Sequence, residues 1–223
     1  MTEFNYFAER EQESQKRFQS LRDSLLNPIV RLLIRCRISA DMISCLSMLM
    51  LIPFGFLLLR ATGPDATGSD SVETGTVAVA SIFVWLHVIL DAFDGPIARH
   101  NGTAGPAGAF TDMSVDHSGM LITATLLTAA GFIDGTVGVV YASSYTLAIV
   151  FTIWLNVLGR PFAVVLRTKY LLYGMTSLYG VTGFDRDIFN TVVIGFCVVH
   201  TCYAIAGFLR VKAILRSSPL END

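Results

Sequence analysis

The chain has 223 residues and a formal net charge of -2. Hydrophobic residues make up 52% of it and charged residues only 15%, and the mean hydropathy is +0.56. Soluble globular domains carry about 25% charged residues, so this composition excludes an ordinary soluble domain and favours helices that pack within a bilayer. The near-neutral charge gives no indication of a nucleic-acid partner, and we expect none.

Residues 1–25 are polar, which predicts a solvent-exposed or surface-lying helix. Residues 26–37 combine apolar side chains with Arg31 and Arg35, and the segment is too short to cross a membrane. This pattern predicts an amphipathic helix in the headgroup region, although the same residues could form the first turns of the following helix. We assign residues 1–40 to a cytosolic N-terminal segment with this juxtamembrane helix.

Apolar blocks of the length that a membrane-crossing helix needs, about 20 residues, follow one another along the rest of the chain. They predict an all-α integral membrane protein with six transmembrane helices and an N-terminal amphipathic interfacial helix. The six-helix domain would cover residues 41–212, and residues 213–223 would form a cytosolic tail. The fifth block contains Arg167 and Lys169, so a five-span arrangement remains an alternative. The predicted spans are residues 42–60, 75–97, 108–132, 138–158, 161–179 and 188–210.

Basic residues are concentrated before the first span and after the last one, whereas residues 61–74 contain acidic residues and no Lys or Arg. Cytosolic flanks carry the excess of Lys and Arg in membrane proteins. An even number of spans then places both termini in the cytosol, with residues 91–116 at the same face.

Four aspartates lie across the second and third predicted spans. Asp91 and Asp94 are three residues apart, and Asp112 and Asp116 are four apart, so each pair lies on one helical face. Acidic residues inside a span are costly and usually functional. Oxygen ligands favour hard cations such as Mg²⁺ and Mn²⁺, and these cations commonly also bind phosphate oxygens. The pattern predicts a metal site for a phosphate-bearing substrate.

The residues between the two pairs fit such a substrate. Pro96 lacks an amide N–H and could end the second span or have no effect. Arg99 supplies a positive charge suited to a phosphate. Small residues leave space for a ligand near the backbone: Gly95, Ala98, Gly102, Gly105 and Gly108.

The complete pattern resembles the signature of the CDP-alcohol phosphotransferase family, D-x2-D-G-x2-A-R-x8-G-x3-D-x3-D. All eight fixed positions are present with the same spacing, from Asp91 to Asp116. The resemblance implies transfer of a substituted phosphoryl group from a CDP-linked donor, usually CDP-diacylglycerol, to an alcohol, with release of CMP. It also implies that two metal ions, Mg²⁺ or Mn²⁺, are held by Asp91, Asp94, Asp112 and Asp116, with Asp116 as the general base.

The resemblance extends to the start of the first span, where family members often carry a Pro-Asn-x-x-Thr-like segment near the nucleotide. Here Asp41 replaces the Asn, Ser44 replaces the Thr, and the Pro is absent. The donor site would therefore include Asp41 and Ser44 together with Gly95, Ala98, Arg99, Gly105 and Gly108. Alternatively, Ser39 or Asp41 simply caps the helix.

Basic residues near the fifth span suggest where the acceptor alcohol binds. Family members with phosphorylated acceptors often have basic residues in this region, so Arg160, Arg167 and Lys169 could bind the phosphate of glycerol 3-phosphate or inositol phosphate. Arg160 and Arg167 are seven residues apart and would share one helical face. They could instead only set the topology. His117 could assist the base, contact the acceptor or pack in the core.

Two other functions remain open from the residues alone. An ion transporter can contain intramembrane carboxylates, and a membrane prenyltransferase binds Mg²⁺-diphosphate through aspartate pairs. No internal repeat typical of many transporters is evident, and the two aspartate pairs lie in adjacent helices rather than distant ones. The resemblance further implies a homodimer that contacts membrane lipids.

Overall fold

The computed structural model describes residues 26–63, 72–163 and 167–217, and within these ranges all regular structure is helical. The predictions for residues 1–25 and for the end of the tail lie outside the described residues. A first helical segment, α1, covers residues 26–35. The following helices are α2 Ala40–Leu49, α3 Leu51–Thr62, α4 Thr74–His100, α5 Pro106–Ala129, α6 Gly135–Val157, α7 Thr168–Thr182 and α8 Arg186–Ser217.

Within the described part of the chain, four stretches are long and apolar enough to cross a bilayer, and they cover α2 with α3, then α4, α6 and α8. Many of their large apolar side chains point outward. Ile52 is 66% exposed, Phe56 65% and Val139 68%. Side chains of this kind on several helices form a surface suited to lipid rather than water. The membrane character expected from the composition is therefore supported.

The first predicted span, residues 42–60, is not one continuous helix. It is interrupted at Met50, between α2 and α3. Pro53 explains the interruption, because proline has no N–H to donate to the carbonyl of Leu49 and its ring crowds that carbonyl. The Met50 amide is shared between the Leu46 and Ser47 carbonyls, at 3.3 and 3.1 Å, so the last turn of α2 tightens.

Helix α4 carries the first aspartate pair and lies at the centre of one half of the molecule, where it packs against α2, α3 and α7. Its contact with α7 is a close backbone approach, since a Cβ at Gly180 would lie 2.5 Å from the Ala78 amide nitrogen. Pro96 does not end α4, which continues to His100. The helix lacks one backbone hydrogen bond at Pro96, and Pro96 and Ile97 are both buried there.

Helices α6 and α8 form the most extensive helix pair in the other half, and α5 links the halves through contacts with α3 and α6. Aromatic rings fill the centre of this pair. The His200 ring lies 5.3 Å from both Tyr141 and Tyr145, measured between centroids. Tyr145 also stacks on His117 of α5 at 5.4 Å. These contacts place α5 against the α6–α8 pair at the level of the second aspartate pair.

Helix α1 is separate from α2, so the alternative in which residues 26–37 begin the next helix is wrong. The chain turns at Arg37, whose φ of 58° is left-handed, and α2 begins only at Ala40. Val30 is buried with Ile43 of α2 and Ile97 of α4. Helix α1 therefore packs against the end of α4 that follows the first aspartate pair, while Arg31 and Arg35 remain exposed.

The fifth predicted span, residues 161–179, begins too early. Residues 158–163 are not helical, and α7 begins at Thr168. Gly159 has a left-handed φ of 66°, and Pro161 follows shortly after it, so both residues favour a connection over a helix. Arg160 consequently lies in the connection and shares no helical face with Arg167, which corrects that expectation.

Candidate active site

Three of the four aspartates converge at the junction of α4 and α5. One carboxylate oxygen from each of Asp91, Asp94 and Asp112 lies within 4.8 Å of the others. The three-residue spacing on α4 turns Asp91 and Asp94 to one face, and α5 brings Asp112 to them. Gly102 contributes to this arrangement, because its φ of 67° lets the chain turn between α4 and α5. We call Asp91, Asp94 and Asp112 the aspartate triad.

The surroundings of the triad fit a divalent cation. Oxygen Oδ1 of Asp91 is buried and has no hydrogen-bond partner among the described residues. A buried carboxylate oxygen without a partner is costly, and a cation would satisfy it. Among the described residues the group offers three carboxylates and no nitrogen or sulfur ligand, which suits Mg²⁺ or Mn²⁺.

Helix α2 contributes a hydrogen bond to the triad. The Ser44 hydroxyl donates to Asp94 Oδ2 at 3.1 Å. Ser39 caps α2, since its Oγ accepts a hydrogen bond from the Met42 amide at 3.2 Å. Asp41 is exposed in the first turn of α2. The capping role considered for Ser39 is therefore confirmed, and Ser44 lies against the aspartates.

Asp116 lies beside the triad but has a different partner. Its Oδ1 accepts a hydrogen bond from Lys169 Nζ in a salt bridge. The same ammonium lies 3.7 Å from Asp91 Oδ2. Lys169 thus links the last aspartate of α5 to the first aspartate of α4 from the start of α7.

A family model, CDP-alcohol phosphatidyltransferase, matches residues 37–207. The chain belongs to the CDP-alcohol phosphatidyltransferase family. The match covers most of the chain and includes α2 to most of α8, so the resemblance seen in the signature is confirmed. No curated protein matches the chain.

The donor residues expected from the family signature line the same end of α4 and α5. Gly95 and Ala98 are partly buried on α4, and Arg99 is exposed one residue later. At Gly105 and Gly108 an added Cβ would meet nothing within 4 Å. Packing among the described residues therefore does not require glycine at these two positions, and it leaves open space beside them.

The expected acceptor residues are only partly brought together. Lys169 contacts the aspartates, whereas Arg160 is exposed in the connection and Arg167 is exposed at the N-cap of α7. His117 follows Asp116, but its ring packs on Tyr145 and its Nε2 lies 3.4 Å from the Thr146 hydroxyl. The packing role considered for His117 thus agrees with its surroundings.

A histidine inside the second span is expected to be buried and hydrogen-bonded. The structure confirms this for His87 and shows that it connects the site to α2. His87 is 2% exposed, and its Nδ1 lies 3.0 Å from the Ser47 carbonyl. Since a carbonyl can only accept, His87 Nδ1 must carry the proton. The Ser47 carbonyl is near the interruption at Met50, so His87 joins α4 to the end of α2. His87 precedes Asp91 by four residues, so both side chains lie on the same face of α4.

Gly119 makes space for His87. A Cβ at Gly119 would lie 2.8 Å from His87 Nε2. We expect Gly119→Ala to lower the free energy of unfolding by about 1–3 kcal/mol, as overpacking in a core does. Thermal unfolding in detergent would measure it. The matched control is Gly195→Ala, where a Cβ meets nothing within 4 Å. Equal stabilities of the two variants would contradict the expectation.

Proposed function

We propose that this chain transfers a phosphatidyl group from CDP-diacylglycerol to a small polar alcohol and releases CMP, in phospholipid biosynthesis. The observation that carries the proposal is the aspartate triad with Asp116 beside it, in a chain of the CDP-alcohol phosphatidyltransferase family. The acceptor oxygen attacks the phosphorus of the phosphatidyl group, and the bond from that phosphorus to the CMP oxygen breaks. The acceptor proton passes to Asp116.

The triad would hold Mg²⁺ or Mn²⁺, and we propose two ions with Asp116 as a further ligand. When bound, such ions neutralise the diphosphate and stabilise the leaving CMP. The protein residues position the reactants. Ser44 fixes the Asp94 carboxylate, and the open space beside Gly105 and Gly108 admits the nucleotide. Arg99, with Asp41, Gly95 and Ala98, completes the proposed donor site. Chemistry of this kind consists mainly of positioning and electrostatic stabilisation.

The reaction can be tested directly with purified protein in detergent. CMP release would be measured with CDP-diacylglycerol, Mg²⁺ or Mn²⁺, and a panel of acceptor alcohols, with EDTA as the control. We expect metal-dependent CMP release that increases with one acceptor. Folded protein that binds metal but releases no CMP with any acceptor would contradict the proposed donor. Family membership already favours a transferase over the ion transporter and the prenyltransferase.

We propose a six-span topology with both termini and the active site in the cytosol. In it, α2 and α3 form the first span, and α5 and α7 cross in addition to α4, α6 and α8. The six-helix domain of residues 41–212 would then begin four residues after the start of the family match at residue 37 and end five residues after its last residue, 207. Helix α1 would lie in the headgroup region, with its exposed arginines at the lipid surface. A membrane-impermeant thiol reagent should label Ser217→Cys only from the cytosolic side, in a chain without other cysteines.

We also propose a homodimer that packs through membrane helices, as the resemblance implies. The exposed apolar faces of α6 and α8 would permit such packing. Light scattering with correction for bound detergent would measure the mass. A monomeric mass in active protein would contradict the dimer.

We propose that the acceptor carries a phosphate, as glycerol 3-phosphate or inositol phosphate does, and that Arg160, Arg167, Lys169 and His117 lie near it. Arg167→Ala should then raise the acceptor KM about 10-fold, because a charge-assisted hydrogen bond is lost, and leave the donor KM nearly unchanged. The matched control is Arg216→Ala at the far end of α8. An unchanged acceptor KM for Arg167→Ala would remove Arg167 from the acceptor site.

A further inference from the structure

Lys169 occupies an unusual place for a residue expected to bind a substrate phosphate. Its side chain is 11% exposed, and those of Asp91 and Asp116 are 13% and 36% exposed. Its ammonium faces both carboxylates and also lies 5.3 Å from the centroid of the Tyr170 ring. A buried charge without a partner would be strongly unfavourable, so Asp116 and Asp91 stabilise the Lys169 ammonium, while Asp91 Oδ1 keeps no partner among the described residues.

The position of Lys169 is set by the start of α7. The neighbouring residue, Thr168, is the first residue of α7 and is 7% exposed, and its hydroxyl lies 3.1 Å from Nε2 of the buried His200 on α8. Near the other end of α7, the close approach at Gly180 packs this helix against α4. Two independent contacts with α8 and α4 therefore fix the helix that carries Lys169.

The aspartates are consequently divided into two groups. Asp91, Asp94 and Asp112 form the triad, whereas Asp116 is held by the Lys169 ammonium, which a second metal ion would have to displace before Asp116 could bind that ion. A positive charge this close to the triad also opposes the binding of cations, since like charges repel strongly in a partly buried site. We propose that Lys169 is a positioning residue that holds Asp116 beside the triad and limits the affinity of the triad for divalent cations.

This role differs from the acceptor-phosphate role expected from the sequence. A phosphate bound at Lys169 would have to replace Asp116 and Asp91 as partners of the ammonium and would lie next to carboxylates of its own charge. The positioning role needs no such exchange. The inference rests on the proposed function only for the role of Asp116 as the base that acts on the acceptor. The contact between Lys169 and Asp116 does not depend on that function.

Binding of Mn²⁺ to the purified full-length chain, freed of metal with EDTA that is then removed, tests the inference without any substrate. Calorimetry or electron paramagnetic resonance would measure the dissociation constant. Lys169→Met keeps the length of the side chain and removes the charge. We expect it to bind Mn²⁺ at least about 10-fold more tightly, because the repulsion is lost and Asp116 becomes available as a ligand. Lys169→Arg keeps the charge and should retain nearly the wild-type affinity.

Lys212→Met, an exposed lysine near the end of α8, is the matched control and should leave Mn²⁺ binding unchanged. If Lys169→Met does not fold, Lys169→Gln makes the same measurement with a polar side chain. Unchanged or weaker Mn²⁺ binding in a folded variant without the charge would overturn the inference. If the variant without the Lys169 charge increased only the acceptor KM, Lys169 would instead bind the acceptor phosphate. Failure to release CMP would count against the proposed reaction and not against this inference.

Discussion

Asp116→Asn should lower kcat for CMP release by about 10³-fold, the size of the effect expected when a general base is removed. Asparagine has nearly the same shape, so α5 should remain in place, but its amide cannot take the acceptor proton. Because the triad does not include Asp116, Mn²⁺ should still bind, and the donor KM should change little. Steady-state kinetics combined with a Mn²⁺ titration would measure both quantities.

The control for this variant is Asp187→Asn, an exposed acidic residue in the first turn of α8, outside the proposed site. It should retain wild-type kcat. Near-normal turnover in Asp116→Asn would exclude Asp116 as the base. Loss of Mn²⁺ binding together with activity would instead make Asp116 an essential metal ligand.

Asp94→Ala should abolish both Mn²⁺ binding and CMP release, with a loss of activity above about 10³-fold. The triad would lose one of three charged ligands, and metal ions of this kind supply several kcal/mol of transition-state stabilisation. Circular dichroism would establish that the helices remain. A folded Asp94→Ala protein that binds Mn²⁺ with wild-type affinity would contradict the assignment of Asp94 to the metal site.

Ser44→Ala separates the effect of the Asp94 carboxylate from the effect of the hydrogen bond that Ser44 donates to it. It removes the hydrogen bond to Asp94, together with the alternative bond that the same hydroxyl can make to the Ala40 carbonyl at 3.2 Å. The net contribution of one such bond is about 0.5–1.5 kcal/mol. We therefore expect a loss of activity of up to about 10-fold. A loss as large as that of Asp94→Ala would show that Ser44 contacts the donor or the metal directly.

Much of the site could be predicted because the signature is local. The spacing of Asp91, Asp94 and Asp112 places their carboxylates on helix faces near one short connection, and the structure brings them together as expected. The division that separates Asp116 from them could not be predicted. It depends on Lys169, which is 53 residues away in sequence, and on how α7 packs against α4.

The helices were predicted well where hydropathy alone determines them and less well where proline intervenes. Pro53 lies inside an apolar run, and hydropathy does not register its missing N–H, so the interruption at Met50 was overlooked. Pro96 was weighed as a helix end, but packing around it keeps α4 helical to His100. Gly159 and Pro161 were local signals that α7 begins late, and the apolar residues around them obscured those signals.

The interruption at Met50 gives the two halves of the first apolar stretch different tasks. Helix α2 is joined to the site through Ser44, whereas α3 packs in the core, where Phe54 and Leu58 are fully buried. The residue that contacts the aspartates and the residues that fill the core therefore lie on separate helices. Substitutions at exposed positions of α2, such as Asp41, should change the proposed donor site more than the free energy of unfolding.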